Sequence, residues 1–177
     1  MKLLHSILQP LITIADSVLH PLVKNAWESV DPASGYRRVR AIVDSGASNS
    51  VASGSLAPEV LVVPSEGSKR GQTYAGAAKG GKPLHNEGEK VIQALTSQGR
   101  QVTTTWQVVE VNRPLMSVHQ ICERGNVVVF GESGGYILSL ADGTTTHFGV
   151  EDNVYVLELM MPPTANSNQG FGRQGGR

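Results

Sequence analysis

One cysteine is all that this 177-residue chain contains, so Cys122 has no partner for an intramolecular disulfide and no companion for a multi-cysteine zinc site. A lone thiol suits a reducing compartment, and the cytoplasm is the one favoured here. Charge of one sign is missing too: 15 Lys+Arg stand against 15 Asp+Glu, so no net field draws the chain to nucleic acid or to an anionic membrane. Aromatics are scarce at 5% and charged residues make up 17%. No apolar run is long enough to cross a bilayer. What the chain has in abundance is glycine, 20 residues of it, and that composition suits short strands joined by many turns. The length is enough for one cored domain with extensions.

Three regions follow from the pattern. In residues 1–35, Leu3, Leu4, Ile7, Leu8, Leu11, Ile14, Ala15, Val18, Leu19, Leu22 and Val23 recur at three-four spacing. That is one stripe of a helix, and it predicts an amphipathic helical extension broken near Pro10 or Pro21. The opening Lys2-Leu3-Leu4 is similar to the start of a signal peptide, but His5, Gln9, Pro10 and Asp16 interrupt the run. Asp31-Pro32-Ala33-Ser34-Gly35 reads as a linker. From 36 to 160 strand signals dominate, at 38–44, 60–63, 91–95, 102–111, 127–130, 136–140 and 154–160, with one short helix at 117–124. The expected class is all-β. Residues 161–177 are Asn, Gln, Gly and Arg with one Phe, a composition that buries too little to fold. Its Gly-Arg content is compatible with weak contact to RNA.

The most informative stretch is Ala41-Ile42-Val43-Asp44-Ser45-Gly46-Ala47-Ser48, a hydrophobic strand that delivers one carboxylate into a tight Ser-Gly turn. A second block reads Val109-Glu110-Val111-Asn112-Arg113-Pro114-Leu115-Met116-Ser117-Val118, then Ile121-Cys122, Gly125-Asn126 and the strand Val127-Val128-Val129-Phe130. Together with Gly88-Glu89-Lys90, Gly135-Tyr136-Ile137 and Val154-Tyr155-Val156-Leu157, these motifs resemble the retropepsins, the retroviral-type aspartic proteases. The likeness is nearest to the protease segments of Copia-type retrotransposon polyproteins and covers residues 36–160. It implies a closed β-barrel of the acid-protease fold and an aspartic endopeptidase without metal or organic cofactor. The chain departs from the family in one place. Most retropepsins have apolar-apolar-Gly where this chain has Leu115-Met116-Ser117, and serine lacks glycine's backbone freedom.

The resemblance assigns roles to particular residues. Asp44 is the catalytic acid, the Ser45 hydroxyl bonds across a two-fold axis, Gly46 lets the backbone approach the carboxylate, and Ala47 lines the floor of the cleft. Leu115 and Met116 pack beneath the turn. The Gly-rich segment around Ala78, Lys79, Gly80 and Gly81 stands where the family has its flap, a mobile hairpin over the substrate. Aspartic protease chemistry needs two close carboxylates sharing one proton. Asp16, Asp31, Asp142 and Asp152 lie in no comparable strand-turn context, and Asp142-Gly143-Thr144 reads as a hairpin turn. The second acid is therefore expected from a second copy of the chain, with extended polypeptide as substrate. The alternative is a catalytically silent module of the same type that dimerises or binds peptide.

Other candidates read more simply as structure. Gly131-Glu132-Ser133-Gly134-Gly135 fits Gly-x-Ser-x-Gly, with His119 and His147 elsewhere, but a strand follows instead of a helix and the pattern predicts a hairpin turn. His119 with Cys122 supplies only two ligand types on one short helix, so no metal site is expected. Lys69-Arg70 and Tyr36-Arg37-Arg38 read as solvated charge without an aromatic platform for nucleic acid.

Overall fold

The computed structural model describes residues 27–75 and 82–163. In chain order its strands are β1 (Glu28–Val30), β2 (Arg37–Asp44), β3 (Val51–Ala52), β4 (Thr73–Tyr74), β5 (Leu84–His85) and β6 (Gly88–Thr96). They continue as β7 (Gln101–Val108), β8 (Leu115–Ser117), β9 (Asn126–Gly131), β10 (Gly134–Ser139), β11 (Thr145–Glu151) and β12 (Val154–Met161). Two short helices interrupt them, α1 (Glu66–Lys69) and α2 (Val118–Glu123).

Alternation explains the central strand. Along β2 the side chains of Val39, Ala41 and Val43 are buried, while Arg38 and Arg40 at the alternate positions turn to the other face. Arg38 meets Glu158 of β12 and Arg40 reaches past that strand to Glu151 of β11, while Arg37, at the start of β2, meets Glu28 of β1. On one edge β2 pairs antiparallel with β12; on the other it pairs first with β1 and then, in parallel, with β8. From β8 the ladder runs through β3, β7, β6 and β12 back to β2, which closes a barrel of six strands. Closure removes most of the open edges a flat sheet would leave, although β3 meets β7 only at Gln107 and Val108. The strand directions are mixed, with β2–β8 and β3–β7 parallel.

The remaining strands β11, β10 and β9 continue from β12 as an antiparallel meander. Phe130, Phe148 and Tyr155 seat it, edge to face with ring centroids 4.7–5.8 Å apart. Inside the barrel Trp106 is 1% exposed and donates its indole N–H to Thr104 Oγ1 at 2.7 Å, so no polar atom is stranded there. One charged group is also turned inward. Lys90, 3% exposed, lies on the buried face of β6 with its ammonium against the carbonyls of the 54–57 loop.

The all-β expectation matches this architecture, and several local details differ from the sequence reading. The run 60–63 is not a strand: flanked by Pro58 and Pro64, it makes a single bridge from Val63 to Glu89 and leaves Leu61 80% exposed. Among the described residues of the 36–160 domain there are two helices where one was expected, because Ser65 and Ser68 close a reciprocal capping box around α1. Residues 28–30, within the stretch read as helix and linker, form β1. The apolar stripe of residues 3–23 and the tail from 164 onward lie outside the described residues. Among the described residues no helix is long and apolar enough to cross a membrane.

Candidate active site

Asp44 is the last residue of β2, at the point where the barrel strand ends and the chain turns. Its Oδ1 accepts the backbone N–H of Gly46 at 2.7 Å, a bond within the turn that fixes the carboxylate's direction. A Cβ added at Gly46 would stand 3.3 Å from that same oxygen, so glycine is what lets the turn close so tightly. Asp44 is partly buried, while Ser45 and Gly46 are exposed at its rim and Ala47 is half-buried behind them. Among the described residues no hydrogen bond joins Asp44 to another carboxylate.

The other acids of interest are held in their own turns. Asp31 accepts from Ala33 N and Ser34 Oγ, and the Ser34 hydroxyl bond, with the backbone bonds beside it, holds its carboxyl below the ordinary range. Asp142 caps the β10–β11 turn through Thr144, whose hydroxyl is the chief reason its carboxyl is lowered to about 2. Both are spoken for locally, and neither lies beside Asp44 in a strand-end turn.

Support for the turn comes from the parallel strand. Register places Asp44 opposite Ser117, Val43 opposite Met116 and Ile42 opposite Leu115. Met116 is 5% exposed and belongs to the core beneath β2, while Leu115 is half-buried. Ser117 is fully buried with φ −71° and ψ 119°, an extended conformation open to any residue, so this position makes no demand for glycine. Its hydroxyl donates to the Ala47 carbonyl at 2.7 Å and accepts from Gln120 N at 3.3 Å. The serine thus ties the Asp44 loop to the first turn of α2, a tie that glycine could not make.

Two further residues complete the clamp. Ser50 Oγ accepts from Ser117 N at 3.1 Å, and Ser50 N donates to Gln120 Oε1 at 2.8 Å. Sequence reasoning passed over Ser50 and Gln120, and it treated Ser117 only as a departure. The available signal was Ser-x-x-Gln at 117–120, a helix-start pattern in which the glutamine here reaches Ser50 instead of closing the box on itself. Removing the hydroxyl isolates its contribution: Ser117→Ala should lower stability by about 1–2 kcal/mol through the lost bond and cap, read as a shifted urea midpoint with unchanged slope. Unchanged stability would mean that water replaces the hydroxyl at no loss.

Above the turn, β4 and β5 form a separate antiparallel pair, Thr73 opposite His85 and Tyr74 opposite Leu84. The Tyr74 hydroxyl donates to Asn49 Oδ1 at 3.2 Å, so this hairpin stem touches the loop that follows Asp44. Burial raises the Tyr74 phenol above its ordinary value, which keeps it a donor. The residues assigned to the flap tip, Ala78, Lys79, Gly80 and Gly81, lie outside the described residues.

The alternative centres separate. Ser133 is at the exposed tip of the β9–β10 hairpin, where Gly131 pairs with Gly134 and no helix follows. His147 bonds its own strand neighbour Thr145, and His119 pairs with Glu123 at 3.2 Å on α2. Cys122 is exposed on the same helix.

Comparison of the chain with protein-family models, with curated proteins and with solved structures finds no match. What the site can do must follow from its own residues.

Proposed function

We propose that the chain is an aspartic endopeptidase of the retropepsin type, acting as a homodimer on extended polypeptide, in the manner of retrotransposon polyprotein processing. The observation that carries this reading is the placing of Asp44. A single carboxylate ends a barrel strand, is aimed by the Gly46 amide, and stands in a loop clamped from below by Ser117 and touched from the β4–β5 hairpin by Tyr74. The barrel, the resemblance of the motifs and the hairpin in the place of a flap agree with it.

The chemistry follows from pairing two such turns. Two Asp44 carboxylates brought together by a two-fold axis cannot both ionise, so the pair holds one proton. The ionised oxygen takes a proton from water as its oxygen attacks the peptide carbonyl carbon, and the protonated partner hydrogen-bonds and then protonates the carbonyl oxygen. Collapse of the resulting diol sends a proton to the amide nitrogen as the C–N bond breaks. In this reading the Ser45 hydroxyl, exposed beside each Asp44, bonds across the axis and Ala47 lines the cleft floor. No metal or organic group enters these steps.

Half of the site lies on each chain, so assembly is the direct test. Specific activity on a mixed peptide library should fall when the protein is diluted through the dissociation constant measured by sedimentation over the same concentrations. Activity carried by a strictly monomeric species would place the second acid within one chain and overturn the dimeric site. Saturable peptide binding with no cleavage at any concentration is the outcome expected of a silent module.

A further inference from the structure

The far edge of β7 is only partly paired. In an antiparallel ladder, alternate residues turn both backbone groups to opposite edges. On β7 the edge away from β6 is marked by Gln107, whose N–H donates to Ser50 O at 2.9 Å, and by Thr103, whose carbonyl accepts from Arg124 Nη1 at 3.1 Å. Thr105 lies between them on the same edge. Yet β3 covers β7 only at Gln107 and Val108. Among the described residues the N–H of Thr103 and both backbone groups of Thr105 have no hydrogen-bond partner on that side.

The uncovered edge lies within a cleft. It forms one wall of a cleft of about 270 Å³ that is also lined by Gln120 and Ile121 of α2, by its C-cap Arg124, and by Leu157 and Leu159 of β12. An unpaired strand edge is a template for another strand, and a helix wall beside it limits what can enter to a single extended chain. Charge narrows the choice further. Arg100, also in the lining, is occupied by Asp142 and Thr144, whereas Arg124 pairs with no carboxylate among the described residues and is held at the cleft by one carbonyl. A guanidinium so placed is suited to receive a carboxylate through two parallel bonds.

We propose that this cleft binds an extended peptide segment bearing a carboxylate, which adds as a strand to β7 at Thr103 and Thr105 and sets its acid on Arg124. Asp44 is not among the lining residues, and the site does not depend on whether the chain cuts peptide bonds. It shares a wall with the Asp44 loop, since Ser50 and Gln120 belong to both.

The test uses the full-length Asp44→Asn protein, which leaves any bound peptide intact, titrated with a fluorescein-labelled peptide TVEVT followed by anisotropy. TVQVT and a TVEVT methylated at alternate backbone nitrogens serve as comparisons. Saturable binding of TVEVT is expected, weakened about tenfold or more by N-methylation, because a strand edge needs the amides. Arg124→Gln should weaken TVEVT about tenfold and leave TVQVT within about twofold, the loss of one charged pair. Amide resonances of Thr103 and Thr105 should move on binding. Equal affinity for the N-methylated peptide, equal loss for both peptides in Arg124→Gln, or shifts confined to the β4–β5 hairpin and the Asp44 loop would overturn the proposal. So would a full-length chain that takes up no peptide, which would mean that the edge is closed or that another part of the chain lies on it.

Discussion

Replacing Asp44 with Asn is expected to reduce peptide hydrolysis about 10³-fold or more while the protein stays folded, since acid-base catalysis is lost and little else changes. The amide has nearly the shape of the carboxyl, and its oxygen can still accept the Gly46 N–H that now sits 2.7 Å from Oδ1. Cleavage rates and circular dichroism of the two proteins give the comparison. In the active protein, kcat/KM should follow a bell against pH, with limbs that belong to the pair of Asp44 groups and not to either residue. Undiminished cleavage by Asp44→Asn would remove Asp44 from the chemistry and return attention to Ser133, the exposed serine of the β9–β10 turn.

The second large effect concerns stability. Lys90 Nζ donates to the carbonyls of Gly54 at 2.7 Å, Leu56 at 2.8 Å and Ala57 at 3.2 Å, and the side chain is 3% exposed. Those carbonyls belong to a loop in which Ala57 takes φ +47°, so the ammonium holds a strained segment against β6. Lys90→Met keeps the aliphatic length and removes all three bonds, leaving the Gly54 and Leu56 carbonyls without donors while Ala57 O keeps the N–H of Val60. A loss of about 3 kcal/mol is expected, seen as a lowered urea midpoint. Loss under about 0.5 kcal/mol would show that the loop is held by other contacts.

Lys90 also fixes a direction for pH dependence. Burial lowers its affinity for the proton below the ordinary 10.5, opposed by the charges of Glu59 and Glu28. The folded state therefore releases this proton before the unfolded state does, and over that interval the unfolded chain binds more protons. The contribution of Lys90 to stability consequently rises with pH from the lowered folded value to 10.5, and is lost as pH falls back through the folded value. The stability difference between wild type and Lys90→Met should widen across that alkaline window. A difference that narrows there would reverse the sign of the linkage.

Much of this molecule is legible in the order of its residues wherever the cause is local. The alternation of Val39, Ala41 and Val43 announces β2 and delivers Asp44 to its end, since period two puts one face inward whatever the partner strand. The turns at 131–134 and 142–144 follow from Gly and Asp chemistry within four residues, and α2 starts where Ser117 caps it. Closure of the barrel was not legible in this way. β3 has two residues and β8 three, too few to show a period; β3 is a strand only because β7 and β8 lie beside it, and β8 only because β2 and β3 do. β11 reads as polar, yet Thr146 and Phe148 face inward once β10 and β12 flank it. Val60 to Val63 has the composition of a strand and finds no ladder between its prolines. Ser117 and Lys90 show the same division at the level of single side chains. Their identities are in the sequence, but a hydroxyl 70 residues from Ala47 and an ammonium 36 residues from Gly54 acquire their partners only when the barrel closes, because hydrogen bonds between distant segments depend on tertiary approach and leave no periodic trace along the chain.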